Sequence, residues 1–535
     1  MTHGIITAPQ PEAVEAGAMV LKNGGNAVDA AISSALVQTV VDPMMCGIAG
    51  FGSMQLFLPE KNFHGFIDFH TTAPNSVKED MWEKEISHEA RDGFGFILKN
   101  RANEVGYESI MTPGTLKAFF EAITEFGTMP WKEIIQPAIN YASEGFTVSP
   151  AIDEFWDRSA GHGRISMDEK LRLNETANSI FLDQNGNTFS IGTRIKNKDM
   201  EDTLKHIKEK GVEAFYKGDI AKKIINDMEI NGGFLSHQDL NDYKTVRNDP
   251  LWGSYKGLKV ATNQPPGGGI MVIQMLNILD NFDLKSMGHN SPEYIATVSE
   301  AMKYATIDKD AKVGDPDYLN VPISDLIDPK YGNEIAKLIK NGIRANVVRY
   351  GDSKESEDTT HVAVMDDSGN TASMTHSLGM PSGVITKGLG FMYNGCMSVF
   401  DPRPGKPGSI EPGKRRFTGM SPTIIFKNDD PYIVVGAPGG TYITMGVLQS
   451  ILNVIEFDMN MQEAVSAPRF TANSNAIDVT NRIPRFITKE LEANGYEVIR
   501  NPFSYGFAGV HGIRIKDGKW DGGADPGRDG MVLYI

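Results

Sequence analysis

The chain has 535 residues, more than one small hydrophobic core needs, which predicts one large layered domain or two to three ordinary domains. Hydrophobic residues make up 40% of it and charged residues 22%, a composition that excludes a disordered or fibrous protein. The formal net charge of −16 repels nucleic acid and anionic lipid, so we expect neither of them as a partner.

The N-terminal residues and the two cysteines indicate the cellular compartment in which the protein is expected. Cys46 and Cys396 are too few for a disulfide framework, so we expect two buried, reduced thiols. The N-terminal residues contain no basic segment followed by an apolar one, as a signal peptide would. The longest uncharged stretch, residues 431–455, is interrupted by Pro438-Gly439-Gly440 and does not predict a membrane span. We therefore expect a soluble, cytoplasmic protein.

The N-terminal half of the chain alternates helical and strand patterns between glycine-rich breaks. The periodicity of apolar residues predicts helices at 13–21, 27–41 and 270–279 and strands at 53–58, 65–69 and 258–262. The cluster Gly267-Gly268-Gly269 lacks the spacing of a phosphate-binding loop, so we interpret it as a point of close packing.

The composition changes at residues 344–358, which become small and acidic and predict an exposed, mobile segment. Residues 359–365 then alternate like a half-buried strand, residues 366–370 form a turn, and residues 371–377 alternate again. The pattern predicts a β-hairpin whose first strand begins at Thr359.

A threonine in that position has a specific chemistry available. If the Asp358–Thr359 peptide bond is cut, the new α-amine of Thr359 is a base next to its own hydroxyl. Such an amine titrates at about 7.7–8.0, so part of it is unprotonated at neutral pH. The alternative is that the Thr-Thr pair reflects only the preference of threonine for strands.

Acyl transfer also needs hydrogen-bond donors for the developing oxyanion. A strand at 433–435, a turn at 436–440 and a helix from 441 to 455 place the amides of Gly439 and Gly440 at a helix N-terminus. The alternative is a turn that needs glycine only for positive φ.

Other chemistries are not supported. The sequence has no HExxH motif, and Gly419-Met420-Ser421-Pro422-Thr423 fails the GxSxG pattern at its last position. No lysine follows Gly440, so the turn is not a P-loop. We interpret His361 and His376 as packing or surface residues, and we expect no metal and no cofactor.

Eight segments in this order resemble the γ-glutamyltransferase family of self-cleaving N-terminal nucleophile hydrolases. They are Gly24-Gly25-Asn26-Ala27-Val28-Asp29-Ala30-Ala31, Pro113-Gly114-Thr115, Phe126-Gly127-Thr128-Met129-Pro130, Phe215-Tyr216-Lys217-Gly218, Thr359-Thr360-His361, Met420-Ser421-Pro422-Thr423, Pro438-Gly439-Gly440 and Ala467-Pro468-Arg469-Phe470. The set spans nearly the whole chain, and it is specific as a set although no single segment is.

The resemblance implies an α+β fold, a four-layer αββα sandwich built by two interleaved fragments. Autocatalytic cleavage between Asp358 and Thr359 would turn a zymogen into a large fragment, residues 1–358, and a small one, residues 359–535. The two would stay associated, and a higher oligomer is left open.

The resemblance also implies the catalytic residues. Thr359 would be the nucleophile, Ser377 stands where the family has a threonine hydroxyl near it, and Gly439 and Gly440 would hold the oxyanion. The substrate would be a small-molecule amide, with γ-glutamyl compounds such as glutathione among the candidates. Water or an amine would release the acyl group, which makes the protein a hydrolase and acyltransferase without a cofactor.

The departures from the family pattern concern the acyl group. His70 stands at the position of the arginine that binds the substrate carboxylate, and a neutral imidazole cannot form the same bidentate contact. Cys396 and Val399 replace the glutamine and aspartate that hold the amino group. Gly379, Thr418 and Gly419 replace an asparagine and two serines of the same pocket. These changes predict an altered acyl pocket.

Three hypotheses are therefore carried forward. The leading one is a self-processing amide hydrolase whose acyl specificity has changed. Its nearest variant still accepts γ-glutamyl compounds, with His70 charged or with Lys99 or Arg101 reaching the carboxylate instead. The third is a non-catalytic scaffold, unprocessed, that binds a small molecule or a partner on the same fold.

Overall fold

The computed structural model describes residues 3–91, 93–157, 164–350, 359–502 and 507–535. The strands in these residues are β1 (Gly4–Ala8), β2 (Phe51–Leu58), β3 (Phe63–Phe69), β4 (Ile86–Glu89), β5 (Phe96–Leu98), β6 (Phe146–Thr147), β7 (Arg194–Ile195), β8 (Val246–Asn248), β9 (Leu251–Tyr255), β10 (Leu258–Thr262), β11 (Thr360–Asp366), β12 (Thr371–Ser377), β13 (Thr423–Lys427), β14 (Asp430–Gly436), β15 (Phe470–Thr471), β16 (Ile477–Thr480), β17 (Val498–Asn501), β18 (His511–Lys516), β19 (Lys519–Ala524) and β20 (Met531–Tyr534).

The α-helices are α1 (Pro11–Lys22), α2 (Ala27–Val41), α3 (Thr115–Phe126), α4 (Trp131–Ile134), α5 (Gln136–Glu144), α6 (Pro150–Asp157), α7 (Met167–Arg172), α8 (Glu175–Phe181), α9 (Lys198–Lys210), α10 (Glu213–Tyr216), α11 (Asp219–Asn231), α12 (His237–Asp242), α13 (Gly269–Leu279), α14 (Leu284–Met287), α15 (Pro292–Lys312), α16 (Ile323–Leu326), α17 (Pro329–Lys340), α18 (Ile443–Phe457), α19 (Met461–Ser466) and α20 (Arg485–Ala493). None of the helices in the described residues is long and apolar enough to cross a membrane.

Two antiparallel sheets form the centre of the protein. The first has the strand order β20-β1-β11-β12-β2-β3-β8, and the second has the order β19-β18-β14-β13-β10-β9. Both sheets combine strands from the two sides of residue 358. In the first sheet β11 and β12 lie between β1 and β2, and in the second β13 pairs with β10. The two halves of the chain are therefore interleaved in the first sheet and joined edge to edge in the second.

Strand alternation separates the hydrophobic layers. On β11, Ala363 and Met365 join the small cluster between the two sheets, whereas Val362 and Val364 face the cluster that contains α1 and α2. On β14, Val434 lies between the sheets, and its neighbours face the cluster that contains α13, α15 and α18. Because successive side chains point to opposite faces of a strand, each sheet packs on the other sheet and on helices. The predicted four-layer αββα sandwich is confirmed.

The polar caps of α2 connect distant parts of the chain. Asn26 and Asp29 form a capping box at its start. The Asp29 carboxylate also accepts hydrogen bonds from the backbone N–H of Thr128 and Met129 and from the Thr128 hydroxyl at 2.6 Å. Asp366, the last residue of β11 before the hairpin turn, accepts a hydrogen bond from the N–H of Ala27 at 2.9 Å. The start of α2 is therefore fixed to the hairpin turn and to the segment after α3.

Most predicted elements are confirmed, with shifts of a few residues at their ends. The strand at 258–262, the strand at 371–377 and the helix at 27–41 have the predicted bounds, and the other helices and strands predicted for the N-terminal half lie where expected. The hairpin is present, although its first strand begins at Thr360 and not at Thr359. The helix predicted from residue 441 begins as a 3-10 turn at Gly440 and becomes α-helical at Ile443.

The prediction of an exposed segment at residues 344–358 is only partly confirmed for residues 344–350, where exposed and buried residues alternate. Ala345 and Val347 are buried, and their N–H groups donate to Glu300 and Asn475. Arg349 forms ion pairs with Glu89 and Asp310. These contacts come from residues far away in the sequence, which a local composition signal does not register. Residues 351–358, Asp358 among them, lie outside the described residues.

The Asp29 contacts predict a stability effect. Asp29→Ala leaves several partly buried donors without their carboxylate partner, and we expect it to lower the free energy of unfolding by about 2–3 kcal/mol. In thermal unfolding of the purified protein, this loss of stability appears as a lower midpoint temperature for the variant. Asp202→Ala on α9 is the control, because that carboxylate is exposed and pairs only with Lys198. Equal midpoints for both variants would contradict the assigned role of Asp29.

Candidate active site

Thr359 lies at the buried end of the central hairpin. Residue Thr360 of β11 pairs with His376 of β12, so Thr359 lies opposite Ser377. Thr359 is 2% exposed, and its hydroxyl donates to Ser377 Oγ at 3.3 Å. Ser377 Oγ in turn accepts a hydrogen bond from the N–H of Gly379 at 2.7 Å. The structure therefore brings together the predicted nucleophile and the hydroxyl predicted to lie near it.

A buried polar network supports the start of β11. Gln38 on α2 donates to Thr360 Oγ1 at 3.0 Å and to Gln10 Oε1 at 2.7 Å. The Oε1 atom of Gln38 is 2.8 Å from His376 Nε2. Gln10 donates to Asp42 at 2.5 Å, and burial raises the pKa of Asp42 to about 6. These side chains hold the strand end in place without contacting the Thr359 hydroxyl.

The histidines of the hairpin are structural. His361 and His376 are fully buried, and His361 Nδ1 is 2.9 Å from Thr375 Oγ1. Burial lowers the pKa of His376 to about 3 and that of His361 well below its ordinary value, with His511 and His376 as further causes for His361. Both are neutral at pH 7, and the prediction of packing residues is confirmed over the surface alternative.

The predicted oxyanion turn lies at the same end of the sheets. β14 ends at Gly436, and a side chain at that position would overlap the His361 ring, two residues after Thr359. Gly439 and Gly440 follow with φ of 135° and 54°, and Gly440 is the first residue of the 3-10 turn that leads into α18. The hydrogen bonds among the described residues do not engage their N–H groups. The two N–H groups are therefore available to an oxyanion. Both residues also have positive φ, so the turn requires glycine for its backbone conformation as well.

Thr418 and Gly419 pack behind this turn. The Thr418 N–H donates to the carbonyl of Pro266 at 2.9 Å, and its hydroxyl accepts from the N–H of Met420. A side chain at Gly419 would overlap the carbonyl oxygen of Gly440. The adjacent Gly268 donates to the Met420 carbonyl at 2.9 Å, so the glycine cluster is a point of close packing, as predicted.

His70 follows β3 and is buried, with both ring nitrogens unpartnered among the described residues. The nearest carboxylate oxygen, of Asp68, is 3.8 Å from Nε2. Burial, with Arg415 and Arg416 as further causes, lowers the pKa of His70 to about 3. A charged His70 is therefore not available as a carboxylate partner at neutral pH.

The other suggested cations are used elsewhere. Lys99 donates to the Lys84 carbonyl at 3.1 Å on the surface, and Arg101 forms an ion pair with Glu104 at 3.1 Å. Cys396 is buried, and burial raises the pKa of its thiol against the opposing effect of Arg416. Val399 is half-buried and lines a cavity of about 340 Å³.

Two arginines were missed by the sequence analysis. Arg528 donates to the Thr359 carbonyl at 2.9 Å and so holds the backbone of the predicted nucleophile. Arg416 is buried close to Gly379 and Cys396. Neither residue belongs to a local motif that would have singled it out. The described residues contain no group of three His, Cys, Asp or Glu side chains placed to hold a metal ion.

Comparison with known proteins identifies the family. The Gamma-glutamyltranspeptidase family model matches residues 13–535. The chain belongs to the gamma-glutamyltranspeptidase family. The "Acylase ACY 1 proenzyme" of Pseudomonas sp. (strain V22) is 35% identical over 541 residues, which cover 100% of this chain and 94% of that one. The "Glutathione hydrolase proenzyme" of Bacillus subtilis (strain 168) is 33% identical over 99% of this chain and 91% of its own length.

Solved structures of the gamma-glutamyltranspeptidase family agree. A cephalosporin acylase from Bacillus halodurans superimposes with a TM-score of 0.85 at 26% identity, over 99% of this chain and 96% of that chain. The resemblance inferred from the eight segments is confirmed. The protein is an enzyme of the hydrolase and acyltransferase class with the N-terminal nucleophile fold, and the non-catalytic scaffold is not favoured.

If Gly439 and Gly440 hold the oxyanion, one added methyl group at Gly439 should lower the rate of amide hydrolysis strongly. A Cβ at Gly439 would lie 2.6 Å from the Cα of Ala508, so Gly439→Ala has to move the turn. We expect kcat for amide hydrolysis to fall about 100-fold, since misplaced oxyanion donors lose much of their effect.

Gly518→Ala is the matched control. Gly518 also has positive φ, at 72°, but it lies in the turn between β18 and β19 with open space around it. It should carry a smaller backbone strain of the same kind and leave kcat unchanged. Equal kcat values for the Gly439→Ala variant and the wild-type protein would show that the turn does not bind the oxyanion.

Proposed function

We propose that the protein cuts itself between Asp358 and Thr359 and then uses Thr359 to transfer acyl groups from small-molecule amides to water or an amine. The observation that supports this most directly is the buried contact of 3.3 Å between the Thr359 and Ser377 hydroxyls at the open end of the hairpin. A hydroxyl at a chain start next to a second hydroxyl and to free amides has the parts that acyl transfer needs.

Processing needs no other reactant than water. Thr359 Oγ1 attacks the carbonyl carbon of residue 358, the C–N bond breaks, and the α-amine of Thr359 takes up the hydroxyl proton. The product is an ester between residue 358 and the Thr359 side chain. Water then hydrolyses this ester and leaves a carboxylate on residue 358 and a free hydroxyl and amine on Thr359.

The mature residue would repeat the same chemistry on a substrate. Its α-amine takes the proton from Oγ1 while the oxygen attacks the amide carbonyl, and the N–H groups of Gly439 and Gly440 stabilise the oxyanion. The proton passes to the leaving amine, and an acyl ester forms on Thr359. Ser377 positions the nucleophile through its hydroxyl, and Arg528 holds the Thr359 carbonyl.

The sheet topology supports stable association of the two fragments. β11 and β12 of the proposed small fragment lie between β1 and β2 of the large one, and β13 pairs with β10 in the second sheet. Separation would break several ladders and expose both hydrophobic layers.

The proposed location is cytoplasmic, and its support is the pair of free, buried cysteines.

The acyl group of the proposed substrate carries no α-amine. Val399 is apolar, and the buried Cys396 is a neutral thiol, so neither supplies the negative charge that an ammonium needs. The alternative, γ-glutamyl donors such as glutathione, has the support of the Bacillus subtilis relative, whose name is glutathione hydrolase.

Self-processing predicts two fragments on a denaturing gel. We expect the purified protein to separate into one piece that ends at Asp358 and a smaller one whose first residue is Thr359. Thr359→Ala lacks the attacking oxygen and should stay at the full 58.6 kDa, while Thr359→Ser keeps the oxygen and should still be cut.

Thr360→Ala is the neighbouring control, because that hydroxyl bonds Gln38 and Gln10 and not Ser377. We expect its cleavage to continue. Cleavage of the Thr359→Ala variant after prolonged incubation would exclude Thr359 as the nucleophile.

A matched pair of donors tests the acyl group. Glutaryl and γ-glutamyl p-nitroanilide differ only in the α-ammonium group, whose burial without a negative partner is unfavourable. We expect kcat/KM to be at least about tenfold higher for the glutaryl donor, since each factor of ten is about 1.4 kcal/mol. Release of p-nitroaniline measures both, and a preference for the γ-glutamyl donor would favour the glutathione alternative.

A further inference from the structure

Arg416 is a buried guanidinium group without a carboxylate partner in the described residues. It is 3% exposed, and its Nη1 donates to the Phe417 carbonyl at 3.1 Å. Its Nη2 contacts Cys396 Sγ at 3.8 Å, and its Nε has no hydrogen-bond partner in the described part of the chain. The group lies 4.5 Å over the Phe51 ring. A buried cation held only by weak, neutral contacts is unfavourable unless an anion is supplied from outside the chain.

The acidic residues nearby are already used. Arg415, the preceding residue, forms ion pairs with Asp315 and with Asp317, and its Nε also donates to Asp315. Asp68 accepts hydrogen bonds from Ser53 and from Asn248. The charge of Arg415 is therefore neutralised within the protein, whereas the charge of the adjacent Arg416 has no carboxylate partner in the described residues.

Arg416 also lies next to the nucleophile. A Cβ at Gly379 would be 2.9 Å from Nη2 of Arg416, and the N–H of Gly379 donates to Ser377 Oγ at 2.7 Å. Ser377 Oγ accepts the hydrogen bond from Thr359. One glycine thus separates the guanidinium from the two hydroxyls, and the absence of a side chain there lets Arg416 pack directly against that backbone.

His70 adds a second group without a partner. Its ring lies 6.4 Å from that of Phe51, the same ring that Arg416 covers, and both of its nitrogens lack a hydrogen bond. The charge of Arg416 contributes to the lowered pKa of His70, so the two groups lie close enough to interact. A neutral imidazole offers one N–H donor and one acceptor.

We propose that Arg416 binds a carboxylate at the far end of the substrate acyl group, with His70 as a neutral hydrogen-bond donor beside it. The proposal rests on the proposed function and names its substrate class, amides of an ω-carboxyacyl group. The planar fork of an arginine fits two carboxylate oxygens at once, and burial strengthens that contact. Arg416 is thus a specificity-determining residue that supplies the positive charge neutral His70 lacks.

Two donors of equal length isolate the carboxylate. Glutaryl p-nitroanilide ends in a carboxylate, whereas pentanoyl p-nitroanilide ends in a methyl group at the same position. For Arg416→Gln we expect kcat/KM with the glutaryl donor to fall about 10- to 100-fold, mainly through KM, because hydrogen bonds to charged groups are lost. The pentanoyl donor should change by less than about threefold. Arg416→Lys keeps the charge without the fork and should restore part of the loss.

Arg403→Gln is the control for removing an arginine. Arg403 lines the cavity of Val399, so Arg247→Gln is used beside it. Arg247 pairs with Glu121 and Glu125 and is 39% exposed, and we expect its removal to leave both donors unchanged. An equal loss with both donors in Arg416→Gln, or no loss with either, would overturn the proposal.

Binding of free acids keeps the test independent of turnover and of the variant's folding. In calorimetry with the unmodified, processed protein, glutarate should bind at least about tenfold more tightly than pentanoate, and equal affinities would overturn the proposal. Failure of the proposed function has a different signature, the absence of both fragments and of hydrolysis with any donor. In that case the same titration is run on the full-length protein and its Arg416→Gln variant, so that glutarate binding still tests Arg416.

Discussion

The pairing of β11 with β12 is the constraint on which the site depends. It places Thr359 opposite Ser377, and the neighbouring strands β1 and β2 hold the hairpin from both sides. A new chain end at Thr359 would therefore remain where it is, because the strand behind it is bonded along its whole length. The Asp366 carboxylate secures the other end of the hairpin by its bonds to the turn and to α2. A nucleophile on a loose terminus would not keep such a position.

The charges around the hairpin follow from burial. The histidines at 70, 361 and 376 are neutral, since a positive charge is unfavourable in the interior, and none of them can be a cationic partner at pH 7. The permanent charge of an arginine is not removed in this way. Arg528 and Arg416 therefore carry the positive charge near Thr359, the first at its carbonyl and the second beyond Gly379.

The sequence predicted the parts of this arrangement that are local. A period of two at 371–377 and a run of small, apolar residues at 27–41 gave elements with correct bounds. The glycines before α18 marked a turn because few other residues adopt their backbone conformation. Residue 359 was singled out as the first residue of a predicted strand, and the motif series then connected it to the family.

The parts that depend on contacts between distant segments were not predictable. Nothing in the sequence distinguishes Arg416, which lacks a carboxylate partner in the described residues, from Arg415, which has two, because those partners lie far away in the chain. Arg528 likewise contacts a residue from a distant part of the chain, Thr359. Burial of Ala345 and Val347 also comes from distant acceptors, so the local composition indicated exposure where the structure has contacts.

Acylation of the mature protein tests the central claim most directly. The protein is mixed with an excess of glutaryl p-nitroanilide and quenched in acid within milliseconds, and the masses of both fragments are measured. The account predicts a small fragment heavier by one glutaryl group, with fragment spectra that locate the group on the side chain of Thr359. Release of p-nitroaniline with the acyl group on another residue, or with no acylated species at any quench time, would contradict it.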